Sequence, residues 1–192
     1  MVELGRIVRL QIQRSSLKTG EKPNRVYDPA PIMSVGEMWV TPDGALGHAG
    51  DGSWLVDVHH RAHPQTKNAD GEHAISVGFT GHYSEMRERF GERIVPGCAG
   101  ENLIAETPRR VTLDELASGV AILAPDGTER LRFDVLKVAH PCRPFTGWAL
   151  GRQVEPEALK ENLQFLDDGT RGYRLHARGE ALVSVGDRLV VL

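Results

Sequence analysis

Cysteine is scarce in this chain, and no long apolar run occurs. Only two cysteines are present in 192 residues. That is too few for a disulfide scaffold, so we expect a reducing compartment. No apolar run approaches the length that spans a bilayer, and the first residues lack the layout of a signal peptide. These absences predict a soluble, cytoplasmic protein with no membrane partner.

Several common catalytic motifs are also missing. The sequence has no Gly-x-Gly-x-x-Gly after a predicted strand, no phosphate-loop lysine motif and no Gly-x-Ser-x-Gly. The sequence therefore lacks the motifs that usually indicate a nucleotide-dependent enzyme or a serine hydrolase. There is no Cys-x-x-Cys pair for a zinc knuckle or a redox dithiol, and no flavin or iron–sulfur motif. A formal net charge of −3 gives no reason to expect a nucleic acid partner.

The composition that is present is typical of a folded, turn-rich protein. Apolar residues make up 40% and charged residues 26% of the chain, which excludes a disordered polymer. The 21 glycines and 11 prolines are spread along the chain instead of forming one linker. We therefore predict a single domain, residues 1–192.

Short apolar runs between turn residues predict mainly β structure. Val8, Leu10 and Ile12 alternate with polar residues, which is the period of a half-buried strand. Pro125 and Gly127 suit a turn, so residues 120–138 are predicted to form a hairpin. Further strands are predicted at residues 54–58, 74–79, 120–123, 131–138 and 182–192.

Two segments have helical patterns. Residues 80–91 begin with Thr80, which suits a helix cap, and end at Gly91. Residues 155–166 carry Pro156 in the first turn and an apolar stripe of leucines.

Residues 15–31, rich in lysine, asparagine and proline, are predicted to be a surface loop. Many strands beside two helices favour a distorted β-barrel with a few peripheral helices over a doubly wound sheet.

Cys142 is the first candidate functional residue, because it lies between two prolines and beside Arg143. A thiol acts as a nucleophile or metal ligand only as the thiolate, which a neighbouring guanidinium favours. A cysteine also packs well as a small buried hydrophobe, and the residues alone leave both interpretations open. Cys98 has similar alternatives: a resolving thiol for Cys142, or a packed and inert residue.

Histidines cluster in the first half of the chain. Asp57, His59 and His63 are dense enough for a zinc or iron site. The spacing does not match a helical zincin motif, however, and Pro64 closes the segment. Histidines of a polar loop or substrate cleft are the preferred interpretation. The other histidines nearby are His48, His60 and His73.

Residues 97–103, Gly-Cys-Ala-Gly-Glu-Asn-Leu, form another signal. Glycine lets a backbone turn sharply and approach a ligand closely, and Glu101 and Asn102 offer acceptors and donors. These two side chains either face a ligand or satisfy buried backbone groups at a barrel corner.

Several short motifs follow one another along the chain: Asp-Val-His-His at 57–60, Gly-Glu-Asn-Leu at 100–103, Pro-Cys at 141–142, Arg-Gly-Tyr at 171–173 and Val-Gly-Asp-Arg-Leu at 185–189. Their order resembles the MOSC family, the C-terminal domain type of molybdenum cofactor sulfurases that also occurs as standalone bacterial proteins. The resemblance extends from about Gly47 to Leu192, and the chain up to Leu46 fits loosely. Arg-Pro-Phe at 143–145 stands where many relatives have a lysine or tyrosine nearby.

The resemblance implies a distorted β-barrel with a cleft that holds one functional cysteine, here Cys142. In the family this thiol either ligates molybdenum of a pterin cofactor, molybdopterin, or carries sulfur as a persulfide. Standalone members are linked to reduction of N-hydroxylated compounds and to metal–sulfur delivery. The family is also associated with pyridoxal phosphate, which we do not expect this chain to bind directly.

Site roles follow from that resemblance. Arg143 would stabilise the thiolate of Cys142, and Arg143, Arg152 or Arg171 would hold the phosphate arm of a pterin by bidentate contacts. A surface ion pair is the preferred interpretation for Arg152.

The remaining candidates would shape the cleft and handle protons. His59 and His63 would donate to cofactor or substrate oxygens, or shuttle a proton. Glu101 and Asn102 would form the cleft wall.

Three functional classes follow. The first is a molybdenum-cofactor-dependent reductase centred on Cys142, which needs a small-molecule substrate and an external electron donor. The second is a carrier that delivers sulfur or molybdopterin to a partner protein. The third is a histidine-metal enzyme built on Asp57, His59 and His63.

Overall fold

The computed structural model describes residues 1–68, 74–151 and 155–192. Its strands are β1 (Val2–Gln13), β2 (Lys18–Thr19), β3 (Val26–Tyr27), β4 (Ile32–Val35), β5 (Glu37–Thr41), β6 (Gly44–His48), β7 (Trp54–Val56), β8 (Ile75–Phe79), β9 (Leu103–Ala105), β10 (Val120–Leu123), β11 (Glu129–Val138), β12 (Tyr173–Ala177), β13 (Ala181–Ser184) and β14 (Arg188–Val191). Its helices are α1 (Thr80–Phe90), α2 (Arg143–Leu150) and α3 (Pro156–Asp167), with a 3-10 turn at Asp114–Leu116.

Seven strands close into a barrel, which confirms the prediction of a mainly β, distorted barrel. Their order is β1, β14, β10, β11, β12, β8 and β9, and β9 pairs again with β1. All neighbours are antiparallel except β8 and β9. Closure gives each barrel strand a partner on both sides, so no barrel edge is left unpaired.

The long strand β1 pairs with three other strands along its length: β14, then β9, then β4. Two register shifts along it mark β-bulges, and a bulge changes which side chains face inward. Leu10 and Ile12 are buried as the alternation predicted. Val8 is 42% exposed and Ile7 is buried instead, because the second shift lies beside them. The simple period of two was therefore wrong at Val8.

A second sheet packs on the barrel and shares its core. This sheet has the order β13, β5, β6, β7. Its buried residues Met38 and Val183 belong to the same apolar cluster as Ile7, Phe79 and Phe133 of the barrel. A separate apolar cluster joins the three helices to the turn before β9, and it includes Tyr27, Tyr83, Phe145, Leu166 and Cys98.

The helices at 80–91 and 155–166 are confirmed within one residue at each end. Thr80 does not cap α1, however. Its hydroxyl donates to the Thr107 carbonyl (3.0 Å) and accepts from the Thr107 N–H (2.9 Å), which ties the start of α1 to the chain after β9. No helix in the described ranges is long and apolar enough to cross a membrane.

Helix α2 was not predicted. It has only eight residues, including Pro144 and Gly147, so its local helix propensity is poor. Burial of Phe145 and Ala149 against the helical cluster stabilises it instead.

Three loop and strand predictions had mixed outcomes. The hairpin at 120–138 is confirmed, since β10 pairs with β11. The single strand at 182–192 was wrong: β13 and β14 belong to different sheets, and the Asp187 carboxylate accepts the Ser184 N–H (2.8 Å) in the turn between them. Residues 15–31 are not wholly a surface loop, because they contain the ribbon β2–β3 and the buried residues Leu17 and Tyr27.

Candidate functional site

A cleft of ≈ 180 Å³ lies beside the ribbon β2–β3. Its wall includes the C-terminal end of β1, the N-terminal parts of β8 and β12, and the turn before β9. The lining residues are Gln13, Ser16, Leu17, Lys18, Arg25, Tyr27, Val58, His59, Gln65, Lys67, Ser76, Ala99, Gly100, Glu101, Ala139, His140, Arg171 and Arg174.

The lining is strongly cationic, although the chain as a whole is acidic. Among the described lining residues, Glu101 is the only one with an acidic side chain. Facing it are five cationic side chains: Lys18, Arg25, Lys67, Arg171 and Arg174. A concave surface with this charge attracts an anionic ligand, because its low-dielectric walls focus the positive potential.

Two of these arginines have unused donors. The Nε atoms of Arg25 and Arg171 are buried, and neither has a hydrogen-bond partner among the described residues. Arg171 is held in place by a hydrogen bond to the Ala99 carbonyl and by the Phe145 ring, whose centroid lies 4.2 Å from the guanidinium carbon. A buried donor without a partner is costly, so these two atoms favour an acceptor brought by a ligand.

Glu101 forms the acidic part of the cleft and is only 3% exposed. Its Oε2 accepts a hydrogen bond from the Tyr83 hydroxyl (2.6 Å). Its Oε1 is buried without a partner in the described structure. Burial raises the pKa of Glu101, and Arg171 and the Tyr83 hydrogen bond only partly oppose that rise.

The absence of a side chain at Gly78 makes room for this carboxyl group. A Cβ at that position would lie 3.2 Å from the Glu101 carboxyl carbon. Any larger residue at Gly78 would therefore crowd the carboxyl.

Asn102 belongs to the wall behind the cleft. Its Oδ1 accepts from the Ser76 N–H (3.0 Å), and its Nδ2 donates to Asp57 Oδ2 (3.3 Å). The Asn102 side-chain amide therefore links β8 and the turn before β9 to the chain segment after β7. These contacts match the interpretation that Asn102 satisfies buried polar groups.

Asp57 orients His59. The Asp57 carboxylate is fully buried and accepts from the backbone N–H groups of Gln13 (2.7 Å) and His59 (2.8 Å). His59 Nδ1 lies 3.2 Å from Asp57 Oδ1. Because a carboxylate only accepts, Nδ1 carries the hydrogen, and Nε2 of this cleft residue is left for a ligand.

The other histidines that the structure describes do not form a metal site with His59. His63 does not line the cleft, and its Nδ1 accepts the Gln65 N–H (3.1 Å) within its own loop. The residues that the structure describes contain no group of three His, Cys, Asp or Glu side chains placed to hold a metal ion. His73 lies outside the described residues.

Cys142 immediately precedes α2 and is half-buried with a free thiol. It is not itself among the lining residues, but α2 connects it to the cleft. Three residues further on, the Phe145 ring packs against the Tyr27 ring (5.1 Å between centroids) and under Arg171. Cys142 itself packs against the cluster that contains Tyr27 and acts electrostatically on that cleft residue, so Cys142 lies at the border of the cleft.

Arg143 is exposed as the first residue of α2 and lies outside the lining. Arg152, the other predicted phosphate-binding candidate, is outside the described residues. Arg171 is the predicted arginine that the structure brings into the cleft.

Cys98 is a buried thiol in the helical cluster. Burial and the nearby Glu101 raise its pKa to about 12. The thiol is therefore protonated at neutral pH, which favours a packed residue over a resolving thiolate.

Several cleft residues received no role from the sequence. Tyr27 lies in a polar, proline-containing segment that predicts a loop, yet its hydroxyl donates to the Cys98 carbonyl (2.7 Å). His140 is two residues before Cys142, and its Nδ1 lies 2.6 Å from Asp167 Oδ1. For His140 this proximity to Cys142 was a usable signal. Arg25 and Arg174 carried none, because only the fold brings them to the cleft.

The chain is thus a small closed β-barrel with a cationic cleft, a surface whose charge suits an anionic ligand. The sequence profile of the MOSC domain matches residues 48–190. The chain therefore belongs to the MOSC domain family. No curated protein sequence matches the chain.

Solved structures share the fold at low sequence identity. YuaD from Bacillus subtilis superposes with a TM-score of 0.57 and 13% identity, covering 96% of this chain and 93% of that protein. YiiM from Geobacillus stearothermophilus gives 0.55 and 16%, covering 97% and 74%. YiiM from Escherichia coli gives 0.53 and 17%, covering 83% and 64%. At these identities the similarity shows the fold alone.

Proposed function

We propose that the chain binds a molybdenum cofactor in the cationic cleft, with the Cys142 thiolate as the ligand to molybdenum, and reduces N-hydroxylated compounds. The observation that carries this proposal is the pairing of a cationic cleft, which holds two buried and unused arginine donors, with a free cysteine at its border. Membership of the MOSC domain family supports the choice of cofactor.

The donor set fits such a cofactor. The unused Nε atoms of Arg25 and Arg171 suit a phosphate group, which arginine binds in a directional way. The soft sulfur of Cys142 suits a molybdenum centre, and the backbone N–H groups of the first turn of α2 stabilise an anion there. When bound, the cofactor supplies the redox chemistry, and the chain supplies binding and orientation.

The chain's own residues would place the substrate and move protons. Reduction of an N-hydroxylated compound breaks the N–O bond, consumes two electrons and two protons, and releases the amine and water. His59, oriented by Asp57, would hold the substrate hydroxyl through Nε2 and exchange protons with solvent. The electrons must come from an external donor protein, since the chain has no flavin or iron–sulfur motif.

Elemental analysis of gently purified protein tests the proposal. We expect molybdenum in the wild type, its loss in Cys142→Ala, and its retention in the matched control Cys98→Ala, whose thiol is buried and protonated. Equal molybdenum in the two cysteine variants would remove Cys142 from the ligand set.

Other results would select the other functional classes. Metal-free protein with a cyanide-labile sulfur on Cys142 would indicate a sulfur carrier. Zinc or iron retained in Cys142→Ala, and lost when His59 is replaced, would indicate a histidine-metal enzyme.

A further inference from the structure

The carboxyl group of Glu101 has an unusual set of contacts for a cleft residue. One oxygen, Oε2, is satisfied by the Tyr83 hydroxyl (2.6 Å), and the other, Oε1, is buried and bare in the described structure. Glu101 also forms no ion pair with any described residue. We propose that Glu101 is a protonated acid that binds the ligand, with its Oε1–H donating a hydrogen bond to an oxyanion held by Arg171.

The surroundings of Glu101 favour the neutral form. Tyr83 approaches from α1, Tyr27 from β3 and Cys98 from the turn before β9, and burial raises the pKa of each of these groups, so that all three are uncharged at neutral pH. Arg171 and Arg174 are the facing cations, and both act from beyond ion-pair distance. A buried carboxylate without an ion pair is costly, so desolvation dominates. The raised pKa of Glu101 agrees with this balance.

A protonated Oε1 defines the chemistry of the ligand. The acid hydroxyl needs an acceptor, and so does the unused Nε of Arg171. A phosphate or sulfate oxygen accepts from both donors at once. An ionised Glu101 would repel the same oxyanion, so the site would bind its ligand only while the acid keeps its proton. The inference rests on the proposed function and deepens it by naming the group that this part of the cleft recognises.

Sulfate binding to the cofactor-free protein tests the inference, because sulfate stays a dianion from mildly acidic to alkaline pH and does not itself titrate. We expect wild-type affinity, measured by calorimetry, to fall by up to about tenfold per pH unit once Glu101 ionises. Glu101→Gln keeps the acceptor for Tyr83 and carries an amide donor at every pH. Its affinity for sulfate should therefore depend less steeply on pH than that of the wild type. Identical pH profiles for the two proteins would overturn the inference.

An infrared measurement on the wild type tests the same point without a variant. A carboxylic acid C=O band at neutral pH, which shifts when sulfate is added, is the expected result. Carboxylate bands alone at neutral pH would overturn the inference. The molybdenum analysis tests the proposed function separately. Sulfate binding with the predicted pH profile, in a protein that never contains molybdenum, would support the role of Glu101 and refute the cofactor. Molybdenum in the protein without that pH profile would support the cofactor and refute the role of Glu101.

Discussion

His82 should make the folded protein sensitive to mild acid. This α1 residue is 1% exposed, and its Nε2 accepts the Val111 N–H (2.9 Å). The ring packs against Phe79 and Tyr173 at centroid distances of 5.1 and 6.1 Å. Burial, together with the nearby positive charge of Arg110, lowers the pKa of His82 from 6.5 to about 4.

The sign and size of the effect follow from linkage. Well above pH 6.5, His82 is neutral in both the folded and the unfolded chain, so its titration does not change the free energy of unfolding. As the pH falls below 6.5, His82 becomes protonated in the unfolded chain but stays neutral in the folded chain until about pH 4. The free energy of unfolding therefore decreases. The lowered pKa corresponds to a loss of about 2 kcal/mol at about pH 5 and about 3.4 kcal/mol below both pKa values.

Urea unfolding at a series of pH values measures this loss. His82→Gln keeps an acceptor for the Val111 N–H and removes the titration, so its free energy of unfolding should fall less steeply with acid than that of the wild type. His63→Gln, which removes a half-exposed imidazole, is the matched control. The reasoning fails if His82→Gln keeps the wild-type dependence, or if both variants flatten it equally.

Three further predictions concern the site and its support. Phe145→Ala should destabilise the fold by about 3–5 kcal/mol in urea unfolding, since the ring is fully buried under Arg171. Gly172→Ala should cost about 3 kcal/mol or more, because a Cβ there would lie 2.0 Å from the Val77 carbonyl oxygen at a φ of +80°. In a thiol titration, Cys142 should react in the folded protein, and Cys98 only after unfolding.

Each of these predictions has a direct check. Gly186→Ala is the control for Gly172→Ala, because its φ is also positive (+97°) but nothing lies within 4 Å of its Cβ. Equal costs at the two glycines would contradict the steric argument. A cost below about 1 kcal/mol for Phe145→Ala would show that α2 does not pack as described. Two fast-reacting thiols in the folded protein would contradict the burial of Cys98.

Sequence alone predicted the elements whose signal is local. The hairpin at 120–138 and the helices at 80–91 and 155–166 are confirmed because turn residues and helical periodicity lie within a few positions of each other. Helix α2 was missed because its stability comes from burial of Phe145, which is a tertiary contact. The exposure of Val8 was missed because a β-bulge has no clear mark in the sequence.

The candidate site divides in the same way. Residue chemistry and motif order were enough to single out Cys142, Glu101, His59 and Arg171, and the last three line one cleft. Only the tertiary structure shows that cations gather there on an acidic chain, and that Glu101 is buried without an ion pair. The charge of a cleft and the desolvation of a side chain depend on which distant segments lie next to each other in the folded protein. Closure of the barrel brings those segments together, and their spacing along the chain does not reveal it.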